Sequence, residues 1–230
     1  SRQRARILVF VLAGLYLALG LLYNVTTPVF EAPDEVWHFA HILYVAQHHD
    51  LPVQGAHRGE ELARQEASQP PLYYLLASAI VRLVDTSDVA EHSRLNPHAA
   101  PGLPHSDGNR NMIVPTPTSF PWRGTVLAVH LVRGFSQLLG LMTVLAAYGL
   151  GRRLWPQPAD GVMPLVLAAG VAFNPQFLFI SSAINNDNMM TALAAITLLV
   201  VVDLAARRGL PSHRQIVTLG VLAGLSALSK

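Results

Sequence analysis

The sequence predicts an all-α, polytopic membrane protein with about five transmembrane helices and a large first outer loop that contains membrane-surface helices. Three observations lead to this prediction. Hydrophobic residues make up 51% of the 230 residues and charged residues only 13%, whereas an average soluble domain has about 25% charged residues. The mean hydropathy is positive, at +0.36. Apolar segments of about 20 residues, the length that crosses a bilayer, recur along the chain.

Five apolar segments are the predicted spanning helices. The first follows Arg2, Arg4 and Arg6 and lacks the small-x-small cleavage site of a signal peptide, so it predicts an uncleaved membrane anchor. The last reaches Lys230, and we therefore interpret residues 1–230 as a single membrane module that forms the N-terminal part of a longer chain. The five segments are 7–23, 126–151, 162–183, 189–206 and 216–229.

Arginine clusters set the predicted orientation. One cluster precedes the first segment, a second lies at 152–153, and a third lies within 207–214. The positive-inside rule places all three in the cytoplasm. The N-terminus is then cytoplasmic, and residues 24–125 form one extracytoplasmic loop. We expect an integral protein of a bacterial plasma membrane with this orientation.

The apolar run 71–84 lies within that loop and is the ambiguous one. Its 14 residues span about 21 Å as a helix, less than the hydrocarbon core of about 30 Å. A crossing here would also move Arg152 to the outer side. The run therefore predicts a helix at the outer membrane surface. Residues 85–122 are rich in Pro, Gly, Asn and His and predict an irregular excursion.

Composition also excludes several functions. The chain contains no Cys, which removes Cys-based catalysis, Cys-ligated zinc and redox switching. The net charge is only +2, and no basic run with interleaved aromatic residues occurs, so we expect no nucleic-acid partner.

The first candidate site follows the first apolar segment, where two acidic residues, Asp34 and Glu35, come after Pro33. One interpretation is that they merely start a helix, because Pro suits its first position and acidic residues its first turn. The other is that they are catalytic carboxylates. His38 and His41 share the helical face of Asp34. That face could hold a divalent metal, but surface imidazoles are more often solvated, so we assign no metal ligand and the chemistry requires none.

The second candidate site is the polar turn 185–188 between two apolar segments. By the predicted topology its Asp187 lies at the same membrane face as Asp34. A turn whose Asn caps the next helix is the simpler interpretation. Two carboxylates from distant parts of the sequence at one face can instead form a catalytic or cation-binding site.

Arg133 lies seven residues into the segment that begins at Val126, which places it about 10 Å below the outer face. An arginine inside the membrane is costly and indicates function unless its side chain reaches back to the headgroups. A guanidinium at this depth suits a lipid phosphate. We therefore expect Asp34, Asp187 and Arg133 to converge in one outer-face cavity.

Two prolines after Gln69 predict the start of the short helix, and Tyr73 and Tyr74 suit an interfacial aromatic belt. The motifs then occur in a fixed order along the chain: Pro33-Asp34-Glu35, Gln69-Pro70-Pro71-Leu72-Tyr73-Tyr74, Val132-Arg133-Gly134-Phe135-Ser136, Asp187, and Leu228-Ser229-Lys230. This order resembles that of the glycosyltransferase C superfamily. The resemblance is to its protein O-mannosyltransferase and lipid A aminoarabinose transferase branch, and it extends over most of the chain except 85–124.

The resemblance implies an enzyme that takes a sugar from a polyprenyl-phosphate-linked donor in the membrane lipid and passes it to an acceptor at the non-cytoplasmic face. It implies that Asp34 is the base that deprotonates the acceptor, with Glu35 beside it. Such families often have a basic residue or His where Gln69 stands, so phosphate binding by this segment stays open. The sugar and the acceptor stay open as well. The residues expected to bind substrate are His38, Gln69, Tyr73, Arg133 and Asp187.

Two other classes of function fit parts of the sequence. A transporter would have broken helices with polar residues near the middle of the bilayer, and Asn174-Pro175-Gln176 fits that pattern. A non-catalytic membrane scaffold would use residues 85–124 to bind a partner. Mutation of Asp34 separates these classes, because a transferase loses turnover whereas a scaffold keeps its partner.

Overall fold

The computed structural model describes residues 2–54, 61–99, 110–156, 162–206 and 210–230. Over these residues the chain is all-α, as predicted. Outside the helices it has an isolated antiparallel bridge between Leu95 and Ile113. The helices of the described residues are α1 Arg2–Thr26, α2 Glu35–His48, α3 Glu61–Gln65, α4 Leu72–Val81, α5 Val89–His92, α6 Gly124–Leu154, α7 Met163–Ala172, α8 Pro175–Ser181, α9 Asp187–Ala205 and α10 His213–Ala227.

Three helices of the described chain, α1, α6 and α9, are long and apolar enough to cross a membrane, and a fourth span results if α7 and α8 count as one. These two helices meet at an angle of 61°, because Pro175 cannot continue the hydrogen bonding of α7. The fifth predicted span corresponds to α10, which has 15 residues and extends about 22 Å. The described chain thus has three or four spans by length, against the predicted five.

The apolar residues of the spanning helices face outward as well as inward. Only 17% of the most apolar window of α1, and the same fraction in α9, is buried inside the protein. Large side chains on the outer surface of α1, such as Phe10 and Leu22, are more than half exposed. A soluble protein rarely exposes so continuous an apolar surface. A hydrocarbon environment accounts for it, so the protein is a membrane protein.

The helices define two opposite faces. Arg153, at the end of α6, contacts Asp203 near the end of α9, and we name this end the arginine face. Lys230, just after α10, contacts Asp187 at the start of α9, and we name that end the loop face, because the described residues 27–54, 61–99 and 110–123 cover it. The short α10 therefore runs between the same two levels as α9. Two members of the predicted arginine cluster, Arg207 and Arg208, lie outside the described residues.

Close contacts hold α1, α6 and α8 together between the two faces. The Tyr16 hydroxyl donates a hydrogen bond of 2.8 Å to Ser181, and the Gln137 amide donates one of 2.6 Å to the Leu17 carbonyl. A side chain at Gly140 would collide with the Tyr16 hydroxyl. Glycine at this position therefore permits the close approach of α1 and α6.

A layer of short helices covers the loop face. The ten residues of α4 extend only about 15 Å, so this helix does not cross the bilayer, and it packs against α2 and α6. Tyr73 and Tyr74 are fully buried in the core of this layer rather than forming the predicted interfacial belt. The predicted irregular excursion contains α5, and its part 100–109 lies outside the described residues.

Candidate functional site

A buried ion pair lies beneath the loop face. Arg133 of α6 and Glu35, the first residue of α2, are both fully buried. The Arg133 Nε donates to Glu35 Oε1 at 2.8 Å, and its Nη2 donates to Oε2 at 2.5 Å. This bidentate geometry is the strongest form of arginine–carboxylate contact. It fixes the start of α2 against α6.

Arg133 also closes the end of α1, where the last carbonyl groups of a helix have no partner within the helix. Its Nη1 donates to the carbonyls of Asn24 and Thr27 at 2.8 and 2.7 Å, and its Nη2 donates to Pro28 at 2.9 Å. All five N–H groups of the guanidinium are thus used. The predicted role of Arg133 as a phosphate ligand is wrong, because no donor remains for a substrate.

The side chain of Arg133 reaches along α1 towards the end of that helix. Asn24 Nδ2 donates to the His130 carbonyl at 3.1 Å, and Gln137 Nε2 donates to the Leu17 carbonyl at 2.6 Å. The backbone at Arg133 therefore lies between these two levels, beside the last turns of α1, and its guanidinium extends from there to the Thr27 carbonyl.

Glu35 has a structural role as well. Besides its two bonds to Arg133, its carboxylate accepts hydrogen bonds from the backbone N–H groups of Phe30 at 3.0 Å and Ile184 at 3.1 Å. A buried carboxylate with four donors is held in place and has no access to a substrate. The prediction of Glu35 as a catalytic residue is therefore not supported by its position.

Asp34 has the opposite environment from its neighbour. It is exposed and lies at the N-cap of α2 in the left-handed region, with φ of 58°, and its side chain makes no capping hydrogen bond. Its carboxylate accepts no hydrogen bond from any of the described residues. Asp tolerates this backbone conformation better than most residues. Asp34 thus has the helix-starting position of the simpler interpretation, since its carbonyl accepts the first hydrogen bonds of α2, while its carboxylate is not used by the helix.

Asp34 is one of three charged groups from distant segments that act on Glu66. Burial raises the pKa of Glu66 above its ordinary value of 4.5, and the charge of Asp34 raises it further. Gln69 and Lys230 act in the opposite direction, and Asp187 adds a smaller rise of the same pKa. Asp34 and Asp187 therefore share one electrostatic environment, while Lys230 forms an ion pair with Asp187.

Two histidines and a tyrosine form the floor of this site. The His38 Nδ1 lies 2.8 Å from the Tyr74 hydroxyl and 3.9 Å from a Glu66 carboxylate oxygen. His41 stacks on Tyr74 with ring centroids 3.8 Å apart, and its Nδ1 donates to the Glu66 carbonyl at 3.0 Å. Its Nε2 then carries the lone pair, which is buried without a partner among the described residues.

The two histidines are neutral in this environment. Burial lowers the pKa of His38 from 6.5 to about 4, and burial likewise lowers the pKa of His41 to about 4. In the described part of the chain no group of three or more His, Cys, Asp or Glu side chains could hold a metal ion. The two imidazoles are core groups rather than the surface pair that the sequence suggested.

The polar turn before α9 joins the site to the end of α10. The Asn186 side chain donates to Gln69 Oε1 at 3.1 Å and to the Ser229 carbonyl at 3.3 Å. Gln69 is half-buried at the site, and its role in binding substrate stays a prediction. Tyr73 is not accessible to a substrate. It is fully buried, and its hydroxyl lies 2.7 Å from Ser136 Oγ.

The structure brings Asp34, His38, Gln69 and Asp187 together, and it removes Arg133, Glu35 and Tyr73 from any contact with a substrate. Sequence reasoning did not assign Glu66 and Lys230, which the structure adds to the site. Glu66 lies three residues before Gln69, and Lys230 is the last residue of the Leu228-Ser229-Lys230 motif. Their position beside or within the motifs is the available signal.

Comparisons with known proteins give no match: no family model, no curated protein and no solved structure matches this chain. The chemistry of the site is therefore argued from the residues alone.

Proposed function

We propose that the protein is a glycosyltransferase that moves a sugar from a polyprenyl-phosphate carrier to an acceptor at the loop face. The principal support is the position of Asp34. It is an exposed carboxylate without a hydrogen-bond partner among the described residues, held in a left-handed conformation beside charged groups from distant segments. An amphiphilic donor can present its phosphate at the end of the spanning helices while its chain stays in the lipid.

Asp34 acts as the general base in this proposal. The acceptor O–H gives its proton to the Asp34 carboxylate, the acceptor oxygen forms a bond to the anomeric carbon, and the bond from that carbon to the phosphate oxygen breaks. The electron pair of that bond leaves with the polyprenyl phosphate. A positioned base raises the nucleophilicity of the acceptor, and the phosphate is already a good leaving group.

Lys230 takes the role that the sequence had suggested for Arg133. It is the cation next to Asp187, and about half of its side chain is exposed. An ammonium group with rotatable donors can exchange a carboxylate for a phosphate. Positive charge at this position stabilises the charge that develops on the leaving phosphate.

The transporter alternative has one supporting observation, the 61° bend between α7 and α8. The polar group at the bend is Asn174, whose side chain accepts hydrogen bonds from the N–H groups of Gln176 at 3.0 Å and Phe177 at 3.2 Å. The side chain is used as a helix cap and is exposed at the outside of the helix bundle. An ion-binding role would require it to face a path through the protein.

The test is transfer of a radiolabelled sugar from a polyprenyl-phosphate donor in proteoliposomes that contain the full-length protein. We expect Asp34→Asn to abolish transfer, because an amide accepts no proton near neutral pH. Asn also tolerates the left-handed backbone, so the fold should survive. The matched control is Asp50→Asn, which removes another exposed carboxylate of the loop layer and should leave transfer unchanged. Normal transfer by Asp34→Asn would refute the proposal.

A further inference from the structure

A cavity opens at the arginine face, at the opposite end of the protein from Asp34. Its volume is about 570 Å³, and it lies between the end of α6, the end of α9 and the start of α10. Leu199, Val200 and Leu204 of α9 form an apolar wall, and Tyr148, Arg152 and Arg153 of α6 contribute polar groups. The cavity is thus apolar towards the bilayer and basic at the end of the helices.

Some of the polar groups that line this cavity have hydrogen-bond or ionic partners, and others have none among the described residues. Arg153 donates to Asp203 at 2.9 Å. The hydroxyl of Thr218 donates to the Arg214 carbonyl at 2.9 Å, and Gln215 accepts a bond from the Ser212 N–H. Arg152 and the Tyr148 hydroxyl have no hydrogen-bond or ionic partner among the described residues.

The unpaired groups lie at the level of lipid headgroups. Arg152 and Tyr148 are four residues apart on α6 and so lie on one side of the helix. Trp155 follows Arg152 by three residues, directly after the end of α6, and it is 44% exposed. Tryptophan at the end of a spanning helix is typical of the interface between headgroups and acyl chains.

We propose that this cavity binds an anionic phospholipid, whose phosphate contacts Arg152 and Tyr148 and whose acyl chain lies along the Leu199 and Val200 wall. Basic pockets between transmembrane helices are suited to anionic headgroups. The apolar wall belongs to the spanning part of α9, so the ligand must be amphiphilic. A soluble phosphate compound would use the basic end of the cavity and leave this wall in contact with water or lipid.

Trp155 lies three residues after Arg152, which lines the cavity, so quenching of its fluorescence is the reporter for lipid bound beside Arg152. The sequence has three tryptophans. The substitutions Trp37→Phe and Trp122→Phe therefore leave Trp155 as the single tryptophan of residues 1–230. The protein is placed in nanodiscs that contain brominated phosphatidylglycerol or, in parallel, brominated phosphatidylcholine at the same mole fraction. We expect the anionic lipid to quench Trp155 with an apparent affinity about fivefold or more above that of the zwitterionic lipid.

Arg152→Gln should remove this preference, and Arg152→Lys should retain most of it. The matched control is Arg4→Gln, which removes one charge at the same face from α1, outside the cavity. This control should keep the preference. An unchanged preference in Arg152→Gln, or an equal loss in Arg4→Gln, would overturn the proposal, because attraction to the whole basic face would then explain the binding.

A soluble competitor distinguishes the source of the phosphate. Glycerophosphoglycerol at millimolar concentration has the headgroup of the anionic lipid without its acyl chains. If the lipid is the ligand, this compound should leave the quenching of Trp155 unchanged. Displacement of the quencher by the soluble headgroup would show a site for small phosphate compounds and would refute the lipid assignment.

Discussion

Arg133 and Glu35 form a bidentate ion pair with no exposure to solvent, although 98 residues separate them in the chain. Each partner has additional hydrogen bonds, Arg133 to the carbonyls at the end of α1 and Glu35 to the N–H group of Ile184. The pair therefore joins α1, α2, α6 and the turn before α9 at one point. It positions Asp34, which is the residue before Glu35, above that junction.

Removal of Arg133 should destabilise the protein. We expect Arg133→Ala to reduce the free energy of unfolding by about 3 to 5 kcal/mol, because the negative charge of Glu35 then stays buried without a positive charge beside it. Thermal unfolding in detergent measures the effect. The double variant Arg133→Met with Glu35→Leu should lose less stability than the two single variants together, because it removes both charges. Wild-type stability of Arg133→Ala would contradict the assigned role.

Lys230 should affect use of the donor rather than stability. We expect Lys230→Met to raise the KM for the polyprenyl-phosphate sugar about tenfold, since a charge-assisted contact to phosphate contributes roughly 1.5 kcal/mol or more. Lys230→Arg should retain most activity. The matched control is Arg94→Met, which removes an exposed cation of the same loop layer. A KM for Lys230→Met equal to that of the control would exclude Lys230 from the phosphate site.

Acidification should destabilise the loop face. The pKa values of His38 and His41 are about 4 in the folded protein against 6.5 ordinarily, so the unfolded chain binds more protons between these values. The stability that neutral imidazoles contribute is complete above about pH 6.5 and is lost as the pH falls towards 4. The groups that face His38 are Glu66, Asp187, His41 and Lys230.

The measurement is the unfolding temperature between about pH 7.5 and pH 5. We expect it to fall on acidification, and His41→Phe should make the decline shallower by removing one of the two protonation events. Glu66 acts in the opposite sense, since a raised carboxyl pKa favours the folded state at low pH. The variant Glu66→Gln should therefore steepen the decline. An unfolding temperature of Glu66→Gln that is constant over this range would contradict the lowered pKa values of the two imidazoles.

The start of α6 depends on a single side chain. Asp88 Oδ1 accepts hydrogen bonds from the Thr125 N–H at 2.9 Å and from the Thr125 hydroxyl at 2.7 Å. We expect Asp88→Ala to reduce stability by about 1 kcal/mol, the usual cost of losing a helix cap. The conservative Asp88→Asn should cost less, because it keeps an acceptor. Equal unfolding temperatures for Asp88→Ala and wild type would show that water replaces the cap.

The sequence allowed two features to be predicted: that the protein is a membrane protein, and at which membrane face several residues lie. Apolar length and the arginine clusters place Asp34 and Asp187 at one face, where both act on the pKa of Glu66. The partner of Arg133 could not be predicted in this way. Hydrophobic patterns report which residues leave water, but they contain no information about which buried charge pairs with which.

The environment of Tyr73 and Tyr74 could not be predicted either. The loop layer buries this pair as completely as a bilayer would. Composition alone does not distinguish a residue covered by protein from one covered by lipid, and a tyrosine pair beside an apolar run suits either environment.

The hydrogen bond from Ile184 to Glu35 spans 149 residues, and this has a consequence for biogenesis. A ribosome adds about 5 to 20 residues per second, so Glu35 leaves the synthesis machinery about 7 to 30 s before its last donor does. Phe30 is present throughout that interval, whereas Arg133 follows Glu35 only after 98 further residues. The junction beneath Asp34 is completed once the bent α7–α8 pair has been inserted.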